Sequence, residues 1–211
     1  TPRAVFGAAV LCLAIAAPIS FAIVYMTGFW TLVFGLSGVF ALYAYTGPPF
    51  TLKYRALGEP LIFIVYGPFP FLGAAYVQTG RLEMAAFLYS IPVGMLIVAI
   101  LLANNSRDLN EDRASGIATL AIRLGPFGAR SLYAFLLIGA PCILALFTAL
   151  GWLPKWPLLA LMGFPAAIPL LRKDFRNASA LADLDARTVG YMALFSVLLL
   201  LGIWSAWASA A

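Results

Sequence analysis

Asn104-Asn105-Ser106-Arg107-Asp108-Leu109-Asn110-Glu111-Asp112-Arg113 closes an apolar run that begins near residue 82. It is a polar knot in a 211-residue chain that is 64% hydrophobic and only 10% charged. Three of the eight acidic residues, Asp108, Glu111 and Asp112, fall inside it. Asp108 and Asp112 are four apart, so on a helix they share a face, where like charges repel unless a cation sits between them. Glu111 can pair with Arg107 at the same spacing, which leaves the two aspartates without a local partner. Carboxylates clustered at the end of a membrane-length apolar run point to a hard divalent ion such as Mg2+, which takes oxygen ligands. The other reading is a solvated loop between two spans.

A mean hydropathy of +0.98 with so few charges excludes an ordinary soluble domain. Apolar runs near 4–26, 30–46, 60–79, 82–103, 127–150, 155–171 and 186–208 each approach the roughly 20 residues needed to cross a bilayer core. Open sheet edges do not face lipid, so the expected fold is all-α, a multi-pass transmembrane bundle of seven spans. Only Gly80-Arg81 separates the third and fourth, a tight helical hairpin. No tandem repeat, low-complexity tract or linker appears, and residues 1–211 read as a single domain.

Eleven of the thirteen Lys and Arg lie on the side of the N-terminus, with only Arg81 and Lys155 opposite. The positive-inside rule makes the richer side cytoplasmic, and the acidic stretch lies on that side. A net charge of +5 therefore reports topology and an anionic ligand rather than nucleic acid, since no basic patch interleaved with exposed aromatics is present. The chain has no histidine, which removes His-based acid–base chemistry. Cys12 and Cys142 lie within apolar runs and read as small hydrophobes. Arg3 and the run after it imitate a signal peptide, but the run is too long for an h-region.

Pro48-Pro49 ends the second span, and Lys53 and Arg55 follow in the loop to Gly58-Glu59, as topogenic charges or as cations for an anion. Beyond Arg113, Gly116 is a helix stop, and the apolar stripe to Leu124 suits a lid across the membrane surface. The loop at 172–187 mixes Asp174, Asp183 and Asp185 with four basic residues and reads as a solvated connection.

Two motifs carry a family likeness. Asn-Asn-x-Arg-Asp-x-x-x-Asp-Arg-x-x-Gly-x-x-Thr-Leu at 104–120 resembles the second acidic motif of the UbiA superfamily of intramembrane prenyltransferases. Tyr45-Thr-Gly-Pro-Pro-Phe-Thr-Leu-Lys53-Tyr-Arg-Ala-Leu-Gly58-Glu59, followed by Tyr66-Gly-Pro68, resembles the loop of its quinone-forming members, closest to the branch that prenylates 1,4-dihydroxy-2-naphthoate in menaquinone biosynthesis. The resemblance implies about nine membrane-length helices in a complete fold. It also implies a first acidic motif between the second and third helices, expected here ahead of Thr1 together with two spans. Where the family often has a basic residue after the motif's Gly, this chain has Ile117.

The activity implied is transfer of a polyprenyl group from a polyprenyl diphosphate to an aromatic acceptor, with Mg2+ on Asp108 and Asp112. Arg107, Arg113, Arg123, Lys53 and Arg55 would meet the diphosphate, and Asn104 and Asn105 would orient it or cap helix carbonyls. Tyr45, Tyr54 and Tyr66 would face the allylic cation or anchor the interface. The implied setting is the lipid bilayer, the cell inner membrane if the source is bacterial, with catalytic loops in the cytoplasm. The competing readings are 4-hydroxybenzoate as acceptor, a transporter, an intramembrane CDP-alcohol phosphotransferase and a non-enzymatic scaffold. A transporter would set its ionisable groups at mid-membrane, not at helix ends on one side. The phosphotransferase would need an Asp-Gly-x-x-Ala-Arg element, which is absent.

Overall fold

Glycine and proline set the helix ends. The computed structural model describes residues 1–209, and every regular element among them is helical. Helix α1 (Pro2–Thr27) starts on the Thr1 hydroxyl, which accepts from the Ala4 amide at 3.4 Å, and Gly28 separates it from α2 (Phe29–Thr46). A 3-10 turn, Leu52–Arg55, follows Pro48-Pro49; the residues flanking it, Thr51 and Ala56, hold positive φ of 44° and 58°. The third span is two helices, α3 (Gly58–Tyr66) and α4 (Pro68–Thr79), broken at Gly67. Next come α5 (Met84–Arg107) and the short α6 (Leu109–Ala114).

Helix α7 (Leu120–Ala149) is capped by the Thr119 hydroxyl and interrupted at Gly125, whose φ of 67° and ψ of 175° are not helical. The turn Leu120–Leu124 is therefore set off from the long apolar portion, at the place where a surface lid was expected. The chain continues through a 3-10 helix, Trp156–Ala167, directly into α8 (Ile168–Leu171), and ends with α9 (Leu184–Ala208).

Helix α5 lies at the centre, packed against α3, α4, α7 and α9, with Leu96, Ala99, Leu102 and Ala103 fully buried. Alanines on its faces let neighbouring backbones approach, and close packing of this kind holds helices together where lipid tails are as apolar as leucine. Helix α1 is the opposite case, with no buried side chain.

Six helices among the described residues are long and apolar enough to span a membrane, against the seven expected. The correction concerns 155–171, whose 16 helical residues, Trp156–Leu171, form a shorter apolar helix. Its geometry compensates: 12 residues of 3-10 helix at about 2.0 Å each, then four of α-helix at about 1.5 Å, reach about 30 Å, the thickness of a hydrocarbon core. The chain also has to return between α7 and α9, because both begin at the end of the bundle where α5 finishes. A bond from Arg107 to Asp185 holds the start of α9 to the end of α5.

The 3-10 segment lies flat on α9 at Gly202. A Cβ on Gly202 would stand 2.6 Å from the Pro157 Cα and 2.8 Å from the Pro157 nitrogen, and would overlap the Trp156 carbonyl. Gly163 on the same interface has only leucine side-chain carbons near its Cβ direction, none closer than 3.5 Å. We therefore expect Gly202→Ala to cost about 1–3 kcal/mol through overpacking against rigid backbone, while Gly163→Ala is neutral or stabilising. Melting temperatures of the two variants in detergent check this; equal values would contradict the contact.

Candidate active site

An arginine in a last helical turn is favoured by the carbonyls and dipole there, and α5 ends on Arg107. Asp108 leaves the helix at φ −88° and ψ 10°, its amide bonded to the Asn104 carbonyl at 3.1 Å. The chain restarts as α6, with the Asp112 amide on the Asp108 carbonyl at 2.9 Å. The two aspartates thus lie one turn apart across the junction, as their spacing predicts.

Arg107 does not pair with Glu111. Its Nε donates to Asp108 Oδ1 at 2.8 Å and its Nη2 to Asp108 Oδ2 at 3.2 Å, a two-point grip on one carboxylate. Nη2 also reaches Asn104 Oδ1 at 2.7 Å, and Nη1 reaches Asp185 Oδ2 at 2.5 Å. The i,i+4 register towards Glu111 is interrupted where α5 stops, and the planar guanidinium fork finds nearer acceptors. Asp108 is therefore partnered, whereas Asp112, half-buried, has no ion pair among the described residues.

Asp185 was not among the expected site residues. Most of its loop is the solvated connection expected: Lys173 and Arg187 share Asp183 at 3.0 and 2.6 Å, and Arg176 grips Asp174 at 3.1 Å, holding that carboxyl below the usual range. Asp185 differs because it opens α9 and turns inward to Arg107. Glu59 was also missed as a site residue. It is 3% exposed, as is Asn105, whose amide donates to Glu59 Oε1 at 3.0 Å. Its position in the first turn of α3 gives the buried carboxylate the favourable end of a helix dipole as well. This contact ties the start of α3 to the end of α5.

Asn104 rather than Asn105 faces open space. A groove of about 290 Å³ runs between α3 and α5, lined by Ile62, Tyr66, Ile97, Ile100 and Leu101, with Asn104 and Asp185 at its polar end. Ile62 and Tyr66 also line a second cavity of about 230 Å³, with Tyr45 of α2 on its far wall. Tyr45 is half-buried, and Tyr54 and Tyr66 are exposed.

The remaining cations are not in contact with the aspartates. Arg55 donates to the Pro49 carbonyl at 2.9 Å. Lys53, Arg55, Arg113 and Arg123 have no carboxylate partner among the described residues, and all but half-buried Lys53 are exposed.

No group of three or more His, Cys, Asp or Glu among the described residues could enclose a metal. The donor set nevertheless suits Mg2+, which keeps several waters and binds through one or two carboxylates and substrate phosphates rather than a closed protein cage.

The family model described as the UbiA prenyltransferase family matches residues 1–187. This chain belongs to that family. It is 37% identical over 161 residues to the UbiA prenyltransferase domain-containing protein 1 homolog of Drosophila melanogaster, covering 76% of this chain and 44% of that protein. It is 33% identical over 181 residues to the 1,4-dihydroxy-2-naphthoate octaprenyltransferase of Escherichia coli, covering 84% and 59%. To the protein of the same description in Mycobacterium leprae it is 30% identical over 171 residues, covering 81% and 57%. The chain thus spans about half the length of the curated relatives it matches.

The Glu59–Asn105 contact has a direct consequence for stability. Asn105→Ala leaves a buried carboxylate oxygen without its donor, at a cost of about 2–3 kcal/mol. Glu59→Gln keeps an accepting oxygen and should cost less. Thermal unfolding in detergent ranks the two, and a milder Asn105→Ala would contradict the pairing.

Proposed function

We propose that this protein transfers a polyprenyl group from a polyprenyl diphosphate to 1,4-dihydroxy-2-naphthoate, with Mg2+, in menaquinone biosynthesis. The observation that carries the reading is the polar cluster of Asn104, Arg107, Asp108 and Asp185 at the mouth of an apolar groove. An amphiphile with an anionic head and a long hydrocarbon tail matches that division, since burying an apolar tail yields about 0.8 kcal/mol per CH2. Two relatives named as naphthoate octaprenyltransferases support this choice of acceptor.

The difficult step is heterolysis of the allylic C–O bond. The electron pair leaves with diphosphate, and an allylic cation remains. Asp108 and Asp112 would hold Mg2+, which when bound offsets the charge growing on the leaving group. Arg107 is preorganised beside them, and Lys53, Arg55, Arg113 and Arg123 are cations free to meet phosphate oxygens on the same face. Ile62, Ile97, Ile100 and Leu101 exclude water from the cation while the ring carbon attacks the allylic carbon. Tyr66, and Tyr45 in the neighbouring cavity, offer π faces worth about 0.5–2 kcal/mol each to a cation nearby. The ring then regains aromaticity by shedding a proton or its carboxylate. Because the naphthoate is activated by two hydroxyls, proximity and orientation supply most of what its attack requires. The excess of Lys and Arg on this face supports a cytoplasmic orientation of the loops.

The test uses the full chain as its gene encodes it, in detergent or nanodiscs, offered naphthoate and 4-hydroxybenzoate side by side. Prenylated naphthoquinol should form with Mg2+ and stop with chelator. Asp108→Asn and Asp112→Asn should each lower turnover at least a hundredfold, the scale of losing a site's electrostatic support. Turnover of 4-hydroxybenzoate alone would overturn the acceptor. Activity of both variants within twofold of the parent would overturn the metal assignment.

A further inference from the structure

Arg107 caps both oxygens of Asp108, at 2.8 and 3.2 Å. A divalent ion taking an Asp108 oxygen therefore competes with a guanidinium already there. What becomes of the displaced arginine decides the cost. A cation released into a partly buried site with no other carboxylate would be expensive, but Arg107 has one: Asp185 holds Nη1 at 2.5 Å, and the Asn104 amide oxygen holds Nη2.

Asp185 is itself firmly placed. One turn further along α9, Thr188 bonds back to the Leu184 carbonyl at 2.6 Å and pairs with the buried Tyr133 hydroxyl of α7 at 2.6 Å. That buried contact pins the first turn of α9 to the bundle, so Asp185 stands at a fixed place beside the end of α5 although 78 residues separate it from Arg107.

We infer that Asp185 is a positioning residue that retains Arg107 when Asp108 takes up a divalent ion, and so sets how much ion the site requires. Asp185 does not ligate the ion. It supplies a second resting place for the guanidinium, lowering the cost of uncapping Asp108 and keeping the cation beside the groove that an anionic head would enter. The inference rests on Asp108 as the metal-holding residue of the proposed reaction. With Asp185 neutralised, Asp108 is the one carboxylate left to Arg107, and the competition against the ion sharpens.

The experiment measures Mn2+ binding by the full chain in detergent, from the electron paramagnetic resonance signal of the free ion, without turnover. Asp185→Asn should weaken Mn2+ binding roughly fivefold, the scale of one partly exposed ion pair, and Asp185→Glu should return it to within about twofold of the parent. Arg107→Gln, which removes the competitor, should bind Mn2+ more tightly than the parent. In the Arg107→Gln background the Asp185→Asn substitution should have no further effect, because a contact acting through a shared partner is non-additive. Unchanged binding in Asp185→Asn would overturn the inference. So would a fivefold loss that persists without Arg107, since Asp185 would then act on the ion itself. Parent-like Mn2+ binding by Asp108→Asn would remove the metal assignment, and this inference with it; the Asp185 series with Asp108 intact separates the two failures.

Discussion

One guanidinium holds the functional end of the bundle together. Arg107 ends α5, grips the aspartate that starts the next helix and reaches across to the residue that opens α9. Partly buried charges persist only when their hydrogen bonds are met, and here each guanidinium nitrogen has an acceptor. The acidic stretch, the polar end of the apolar groove and the return of the chain through its sixth apolar segment all depend on that junction. The Glu59–Asn105 contact performs a similar service, fastening the start of α3 to the same helix end.

This arrangement explains how a chain with so few charges builds a polar site. The charges are concentrated where helices end, and the backbone satisfies itself elsewhere. Membership of the UbiA prenyltransferase family accords with such a division, since the proposed reaction of a prenyl diphosphate would need a charged head region next to a dry one. The apolar faces of α3 and α5 line the groove beside that polar end.

Much of this was legible in the sequence. Apolar run lengths located the helices because the bilayer imposes the period, and Gly and Pro marked their ends. The acidic stretch announced itself by charge density. Pairing was less legible. The i,i+4 rule joined Arg107 to Glu111 on the assumption of a continuous helix, whereas α5 stops at Arg107 and tertiary neighbours take its donors. Asp185 looked like one of three loop aspartates, and only the packing of α9 against α5 distinguishes it. Glu59 stood in a quoted motif, but its burial depends on Asn105, 46 residues away. Composition also gave no sign that 155–171 winds mainly as 3-10 helix, since its hydrophobicity resembles that of its α-helical neighbours.

That winding has a mechanical meaning. The 26-residue α1 and the 24-residue α5 exceed what a hydrocarbon core of about 30 Å demands, and surplus length is accommodated by tilting at little cost. The Trp156–Leu171 segment has no surplus, because it covers the same thickness only in its stretched form. Relaxing those 12 residues to α-helix would shorten them by about 6 Å. With no slack in its winding, this segment has little tolerance for a thicker bilayer, and its contact at Gly202 passes any such strain to α9, the helix that presents Asp185. Hydrophobic mismatch at this segment would therefore reach the element that carries one half of the Arg107 junction.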